Sequence, residues 1–270
     1  MELGYRVSLC MFLASFVSQV IASRLDKMNF LVDGSGGSDK TICQFKAVIF
    51  DCDGVIFDTN SLKTRAFREA LQDVGIISEH QDEFIIDHLA DVSISRYVKF
   101  AKFFERAEVR SLSSHPSWKK SRFVKEALES YGNHCRILYS NLDPDDSALK
   151  MAKRVPQAWV ISGGSQEELR EVFKEKGIAR YFRAIYGSPS TKVEHLKRIM
   201  AEENLLPTEI LFIGDGWTDF KTCVEVGTSF CFLRCYTDWA KADEQISSET
   251  GKTTVTDCNT WDEILSRIVD

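Results

Sequence analysis

The amino-acid sequence predicts an α/β fold, a doubly wound parallel sheet with an inserted all-helical cap. Three observations predict it. Short apolar runs, each ended by a polar turn signal, recur at 45–50, 158–161, 185–186, 210–213 and 230–233. Segments with apolar residues at helical spacing separate them, and strand–helix alternation implies a parallel sheet covered on both faces. Residues 59–131, after the first run, have helical spacing and no strand pattern.

The first run, Phe45-Lys46-Ala47-Val48-Ile49-Phe50, is followed at once by Asp51-Cys52-Asp53-Gly54. A short apolar run with β-branched residues suits a strand buried on both faces. Asp51 and Asp53 therefore stand at its carboxyl end, the edge where open α/β sheets bind ligands. Two carboxylates in one small volume repel unless a cation separates them or one is protonated. Such a pair can bind a divalent cation, supply a nucleophile and supply a general acid.

The chain has 270 residues, enough for one large or two modest domains, and 44% are hydrophobic, enough for a real core. The net charge is −6 with both signs interspersed, which argues against a nucleic-acid partner. The eight cysteines form no C-x-x-C pair, and neither they nor the five histidines show ligand spacing. Free thiols favour a reducing compartment, the cytoplasm.

Residues 7–22 are mostly apolar, and Val20-Ile21-Ala22 suits cleavage of a targeting segment. Ser8, Ser15, Ser18 and Gln19 interrupt the run, and it falls short of the ~20 residues of a membrane span. Two readings stay open: a dispensable extension on a cytoplasmic protein, or a targeting segment that makes it secreted or organellar. Residues 33–38 read as a flexible linker. Residues 1–42 are thus an extension, 43–58 and 132–270 a core, and 59–131 a helical cap.

Within the cap, Leu62, Ala66, Phe67, Ala70, Leu71 and Val74 mark one helix, stopped by Gly75. Ile94, Val98, Ala101 and Phe104 mark another, and a third is expected over 122–130. In the core, Asp143-Pro144-Asp145 opens a helix. Capping boxes at Ser165-x-x-Glu168 and Thr191-x-x-Glu194 start two more. Residues 218–226 are helical up to Gly227, and 261–268 form a closing helix.

Four polar clusters follow four expected strands: Asp51 with Asp53, Ser162 with its glycines, Lys192, and Asp215 with Asp219. Parallel strands bring these clusters to one edge. Phosphoryl transfer needs charge neutralisation and positioning, and each cluster has a use in it. Asp51 is the candidate nucleophile. Asp215 and Asp219 are further carboxylates for Mg2+, which prefers hard oxygen ligands. The Ser162 hydroxyl and the N–H groups at Gly163 and Gly164 can receive phosphate. Lys192 supplies positive charge, and Asp53 protonates the leaving oxygen and then deprotonates water.

The stretches Val48-Ile49-Phe50-Asp51-Cys52-Asp53-Gly54-Val55, Val160-Ile161-Ser162-Gly163-Gly164-Ser165, Lys192, and Phe212-Ile213-Gly214-Asp215-Gly216-Trp217-Thr218-Asp219 resemble, in order and spacing, the four motifs of haloacid dehalogenase-like (HAD) hydrolases of the phosphatase branch. The resemblance covers about 45–270. It implies a Rossmann-like core with a helical cap, the roles given above, and the backbone carbonyl of Asp53 as a further metal ligand. Dehalogenases, phosphonatases and P-type ATPases of the superfamily lack an aspartate at the place of Asp53, so its presence points to phosphomonoesters. Mutases resembling β-phosphoglucomutase keep a histidine where this chain has Lys63, which makes a mutase the second reading.

The expected activity is hydrolysis of a small phosphomonoester, a sugar phosphate or an organic-acid phosphate, by a monomer or homodimer with no stable membrane span. The alternatives are a phosphomutase and a non-catalytic phospho-ligand-binding module. Arg96 and Lys99, three positions apart on one helix, share a face and are candidates for an anionic substrate group.

Overall fold

The computed structural model describes residues 44–90, 94–106, 109, 120–249 and 251–267. The expectations for residues 1–42, targeting segment and linker included, lie outside the described residues. The sheet contains β1 (Ala47–Phe50), β2 (Ala158–Ser165), β3 (Ile185–Ser188), β4 (Ile210–Gly214), β5 (Ser229–Leu233) and β6 (Val255–Cys258). All pairings are parallel, in the order β3-β2-β1-β4-β5-β6. The order reverses direction between β1 and β4, and a crevice opens at such a switch point beyond the strand ends. β1 delivers Asp51 there, and β4 delivers Asp215.

β1 shows why the apolar run does not alternate. Ala47 and Ile49 face a core with Trp159, Leu196, Phe212, Phe220 and Phe232. Phe50, on the opposite face, meets Phe182 at 5.7 Å and Trp261 at 6.3 Å between ring centroids. Helices on each side cover both faces, so every residue of β1 is buried.

Among the described residues, the insertion after β1 contains α1 (Asn60–Asp73), α2 (Ser78–Ala90), α3 (Arg96–Phe103) and α4 (Lys120–Asn141). They share an aromatic core: Phe67 stacks on Tyr131 at 4.0 Å, and Phe84 packs on Phe67 and Phe100 at 5.3 Å each. After α4 come α5 (Asp146–Arg154), α6 (Gln166–Glu175), α7 (Lys192–Glu203), α8 (Trp217–Val226), α9 (Ala242–Ser248) and α10 (Trp261–Ser266).

Several expected boundaries are corrected. The third cap helix does not stop before Tyr131 but continues through Gly132 to Asn141. Glycine in a helix interior costs about 1 kcal/mol relative to alanine and suggests a stop. Here it makes room, because a Cβ at 132 would lie 2.9 Å from the Glu168 carboxylate. The boundary drawn at 131 therefore falls inside one helix. β2 runs on through Ser162, Gly163 and Gly164 to Ser165, with a register shift against β3. The capping box at Ser165 does not form: Ser165 makes no side-chain cap bond, and Glu168 turns to Arg96 instead. The box at Thr191 and Glu194 does form. β6 and α9 were not expected. β6 is a half-exposed edge strand whose Val255-Thr256-Asp257-Cys258 lacks an apolar run.

Among the described residues no helix is long and apolar enough to cross a membrane. The described cysteines, at 52, 135, 223, 231, 235 and 258, are free thiols.

Candidate active site

A cavity of about 400 Å3 lies over the carboxyl ends of the strands. That suits a small ligand. All nine residues singled out in the sequence (Asp51, Asp53, Arg96, Lys99, Ser162, Gly163, Lys192, Asp215 and Asp219) line it.

Asp51 ends β1, with Oδ1 accepting from the N–H of Cys52 at 2.7 Å. Asp215 follows β4. Its Oδ2 accepts from Nδ2 of Asn60 at 2.8 Å, and its backbone carbonyl accepts from the Thr237 hydroxyl at 2.5 Å. Asp219 reaches back from the first turn of α8 to accept from the N–H of Gly216 at 3.2 Å. One oxygen from each of Asp51, Asp215 and Asp219 lies within 4.8 Å of the others. Burial, then the neighbouring Asp219, pushes Asp51 up to about 7 against the pull of Lys192. Burial, then Asp51 and Asp219, pushes Asp215 well above the ordinary carboxylate range. Three buried carboxyls, all hard oxygen donors and two of them (Asp51 and Asp215) strained toward protonation, fit a divalent cation.

Lys192 stands at the first position of α7, an unfavourable place for a cation. Its Nζ lies 2.8 Å from Asp51 Oδ2 and 2.5 Å from Asp219 Oδ1. Burial would lower its pKa, but Asp219 and Asp51 more than reverse this and keep it protonated.

Asp53 turns its carboxylate away from the acidic cluster. Oδ1 accepts from the hydroxyls of Thr59 at 2.6 Å and Tyr139 at 2.5 Å. Oδ2 pairs with the Lys63 ammonium and accepts from Ser162 at 3.4 Å. Burial pushes Asp53 up, but Lys63 and the two hydroxyls prevail and hold it down at about 2. Ser162 Oγ also accepts from the N–H of Gly164 at 3.1 Å. Its place at the core end of the cavity thus rests on the glycine turn that follows it.

Arg96 and Lys99 share one face of α3, as their spacing predicts, and both are buried. Arg96 Nη1 lies 3.1 and 2.9 Å from the two Glu168 oxygens, and its guanidinium sits 4.5 Å over the Tyr131 ring. Its charge is therefore already matched. Lys99 Nζ lies 2.6 Å from His88 Nδ1. Burial, then Lys99 and Lys63, lowers His88 to about 3, so this ring is neutral and accepts.

Sequence reasoning missed Thr59, Asn60 and Tyr139, and singled out Lys63 only as the place where mutases keep a histidine, not as a partner of Asp53. Thr59 and Lys63 flank one helical turn just after the first motif, so their spacing offered a signal. Tyr139 lies 86 residues beyond Asp53, and no local pattern marks it.

Comparison with known proteins agrees with this geometry. Residues 45–227 match the family model for haloacid dehalogenase-like hydrolases. A phosphoglycolate phosphatase of Synechococcus elongatus is 23% identical over 184 residues, 67% of this chain and 80% of that protein. Among solved structures, a predicted phosphoglycolate phosphatase of Haemophilus somnus has a TM-score of 0.62 at 17% identity, covering 83% of this chain and 98% of that one. The HAD-hydrolase YfnB of Bacillus subtilis, described as bound to magnesium, has a TM-score of 0.58 at 13% identity, with the same coverages. The chain belongs to the haloacid dehalogenase-like hydrolases. Its place among them is with the phosphatases.

Proposed function

We propose that the protein is a Mg2+-dependent phosphatase that hydrolyses a small phosphomonoester, a sugar phosphate or an organic-acid phosphate, through an aspartyl-phosphate on Asp51. The convergence of Asp51, Asp215 and Asp219 within 4.8 Å, with the Lys192 ammonium bonded to two of them, carries this reading. Asp51, Asp215, Asp219 and the backbone carbonyl of Asp53 would hold the metal. When bound, Mg2+ neutralises charge between the nucleophile and the phosphoryl oxygens.

An Asp51 carboxylate oxygen attacks phosphorus, and the bond from phosphorus to the leaving oxygen breaks. Ser162, Gly163 and Lys192 receive the phosphoryl oxygens. Asp53 gives its proton to the leaving oxygen. The phosphate dianion, a like charge beside Asp53, favours the protonated form that this step needs. Asp53 then takes a proton from water, which attacks phosphorus and releases phosphate and Asp51.

Arg96 and Lys99 are the proposed contacts to the leaving group, and the phosphoglycolate phosphatase relatives favour an organic acid there. Residues 59–131, which hold α1 to α3 and the first half of α4, are the proposed cap, with the correction that α4 runs on past 131 to Asn141. Free thiols at the described cysteines support a reducing compartment such as the cytoplasm.

The test is phosphate release from p-nitrophenyl phosphate and a metabolite panel, with Mg2+ or EDTA, comparing wild type with Asp51→Asn. The expected result is Mg2+-dependent turnover that the substitution abolishes. A folded wild type that hydrolyses nothing overturns the proposal.

A further inference from the structure

Asp53 sits on the turn after β1, and its orientation depends on side chains outside that turn. Thr59 and Tyr139 saturate Oδ1. The Tyr139 ring is packed edge-on against Phe57 at 5.3 Å, so its hydroxyl is a fixed point. Oδ2 is the oxygen on the Ser162 side, and Lys63 holds it there. Lys63 is placed by the first turn of α1, where its N–H donates to the Thr59 carbonyl at 2.8 Å. Thr59 and Lys63 thus grip opposite oxygens of Asp53 from consecutive levels of one helix. The Lys63 ammonium also lines the cavity and lies 5.4 Å from the centre of the Tyr139 ring.

We propose that Lys63 is a positioning residue for leaving-group departure: it keeps Asp53 Oδ2 directed at the place where the leaving oxygen separates from phosphorus. The proposal rests on the phosphatase reading, with Asp53 as the group that protonates that oxygen. A carboxyl fixed through one oxygen only can swing about its Cβ–Cγ bond, and small misplacements of a reacting group cost rate steeply. Neutralising a buried carboxylate is a merely structural service. It would affect all substrates alike. Orienting the acid matters in proportion to how much the leaving oxygen needs a proton. An alkoxide needs one, and p-nitrophenolate departs without one.

The experiment compares kcat/KM, which reports through departure of the leaving group, for p-nitrophenyl phosphate and for the best alkyl phosphate of the metabolite panel. Wild type, Lys63→Met and Lys63→Arg are measured, with thermal unfolding to verify folding. The expected result is a loss of about 100-fold on the alkyl phosphate in Lys63→Met, the scale of general acid catalysis. On p-nitrophenyl phosphate the expected loss is about threefold or less, and Lys63→Arg recovers much of the alkyl activity. If Lys63→Met does not fold, Lys63→Gln is used with the same expectation. Equal losses on both substrates, or no loss on either, overturn the inference while leaving the phosphatase reading intact. A wild type inactive on every monoester overturns that reading itself.

Discussion

Gly54→Ala tests whether the acidic cluster depends on a glycine that does not line the cavity. Gly54 has φ +72°, and an added Cβ would stand 2.1 Å from Oδ2 of Asp215 and 2.8 Å from Nδ2 of Asn60. To reach an ordinary 3.4 Å contact the Asp215 oxygen must retreat by about 1.3 Å. Two costs follow. The left-handed backbone costs about 1–2 kcal/mol for a residue with a Cβ. Displacing a carboxylate proposed to hold the metal by about 1 Å costs on the order of 100-fold in rate. Gly177→Ala separates the two, because Gly177 has φ +68° and an added Cβ there meets nothing within 4 Å. Both variants are assayed for kcat/KM on p-nitrophenyl phosphate with Mg2+ and for Tm. Gly177→Ala is expected to lose about 2–4 °C per kcal/mol of strain and keep its activity. Gly54→Ala is expected to lose at least about 100-fold in activity. Activity of Gly54→Ala within a few-fold of wild type would refute the claim that Asp215 must stay against Gly54.

Three further outcomes are expected. Asp51 and Asp215 have folded-state pKa values raised above 3.8, so without a cation the folded chain holds more protons than the unfolded chain once pH exceeds about 4. In EDTA, their contribution to stability therefore declines as pH rises from about 4 to 7. The Tm gain on adding Mg2+ should accordingly be larger at pH 7 than at pH 5, and an equal gain at both counts against the cluster as the binding site. Lys192→Met, which removes the ammonium between Asp51 and Asp219, should lose at least about 100-fold in kcat. Lys192→Arg should not restore it, since a planar guanidinium does not replace a compact ammonium; full activity in the arginine variant would contradict this. Arg96→Met should destabilise the protein by about 3 kcal/mol in urea unfolding by leaving Glu168 without its partner. Adding Glu168→Leu should recover part of that loss, and strictly additive effects would show that the two side chains are not coupled.

The sequence by itself determined five of the six strands of the sheet and the four site clusters. Three of the strands, β1, β2 and β4, carry runs buried on both faces, so their signal is a local apolar run, and a parallel sheet sends every strand's carboxyl end, that of the edge strand β3 included, to one edge. Asp51, Ser162, Lys192 and Asp215 were legible for that reason, and Asp219 because it lies one helical turn beyond Asp215. β6 was not legible, since an edge strand with one open face needs no apolar run. Gly132 misled because a glycine that makes room for Glu168 looks, in one dimension, like a glycine that ends a helix. The tertiary structure alone decided the partners of each charge. It matched Arg96 to Glu168 and thereby undid the box at Ser165, and it brought Tyr139 and Lys63 onto Asp53 from the two ends of the helical insertion. A charge's partner depends on which distant element reaches it first in three dimensions, and local pattern carries no record of that.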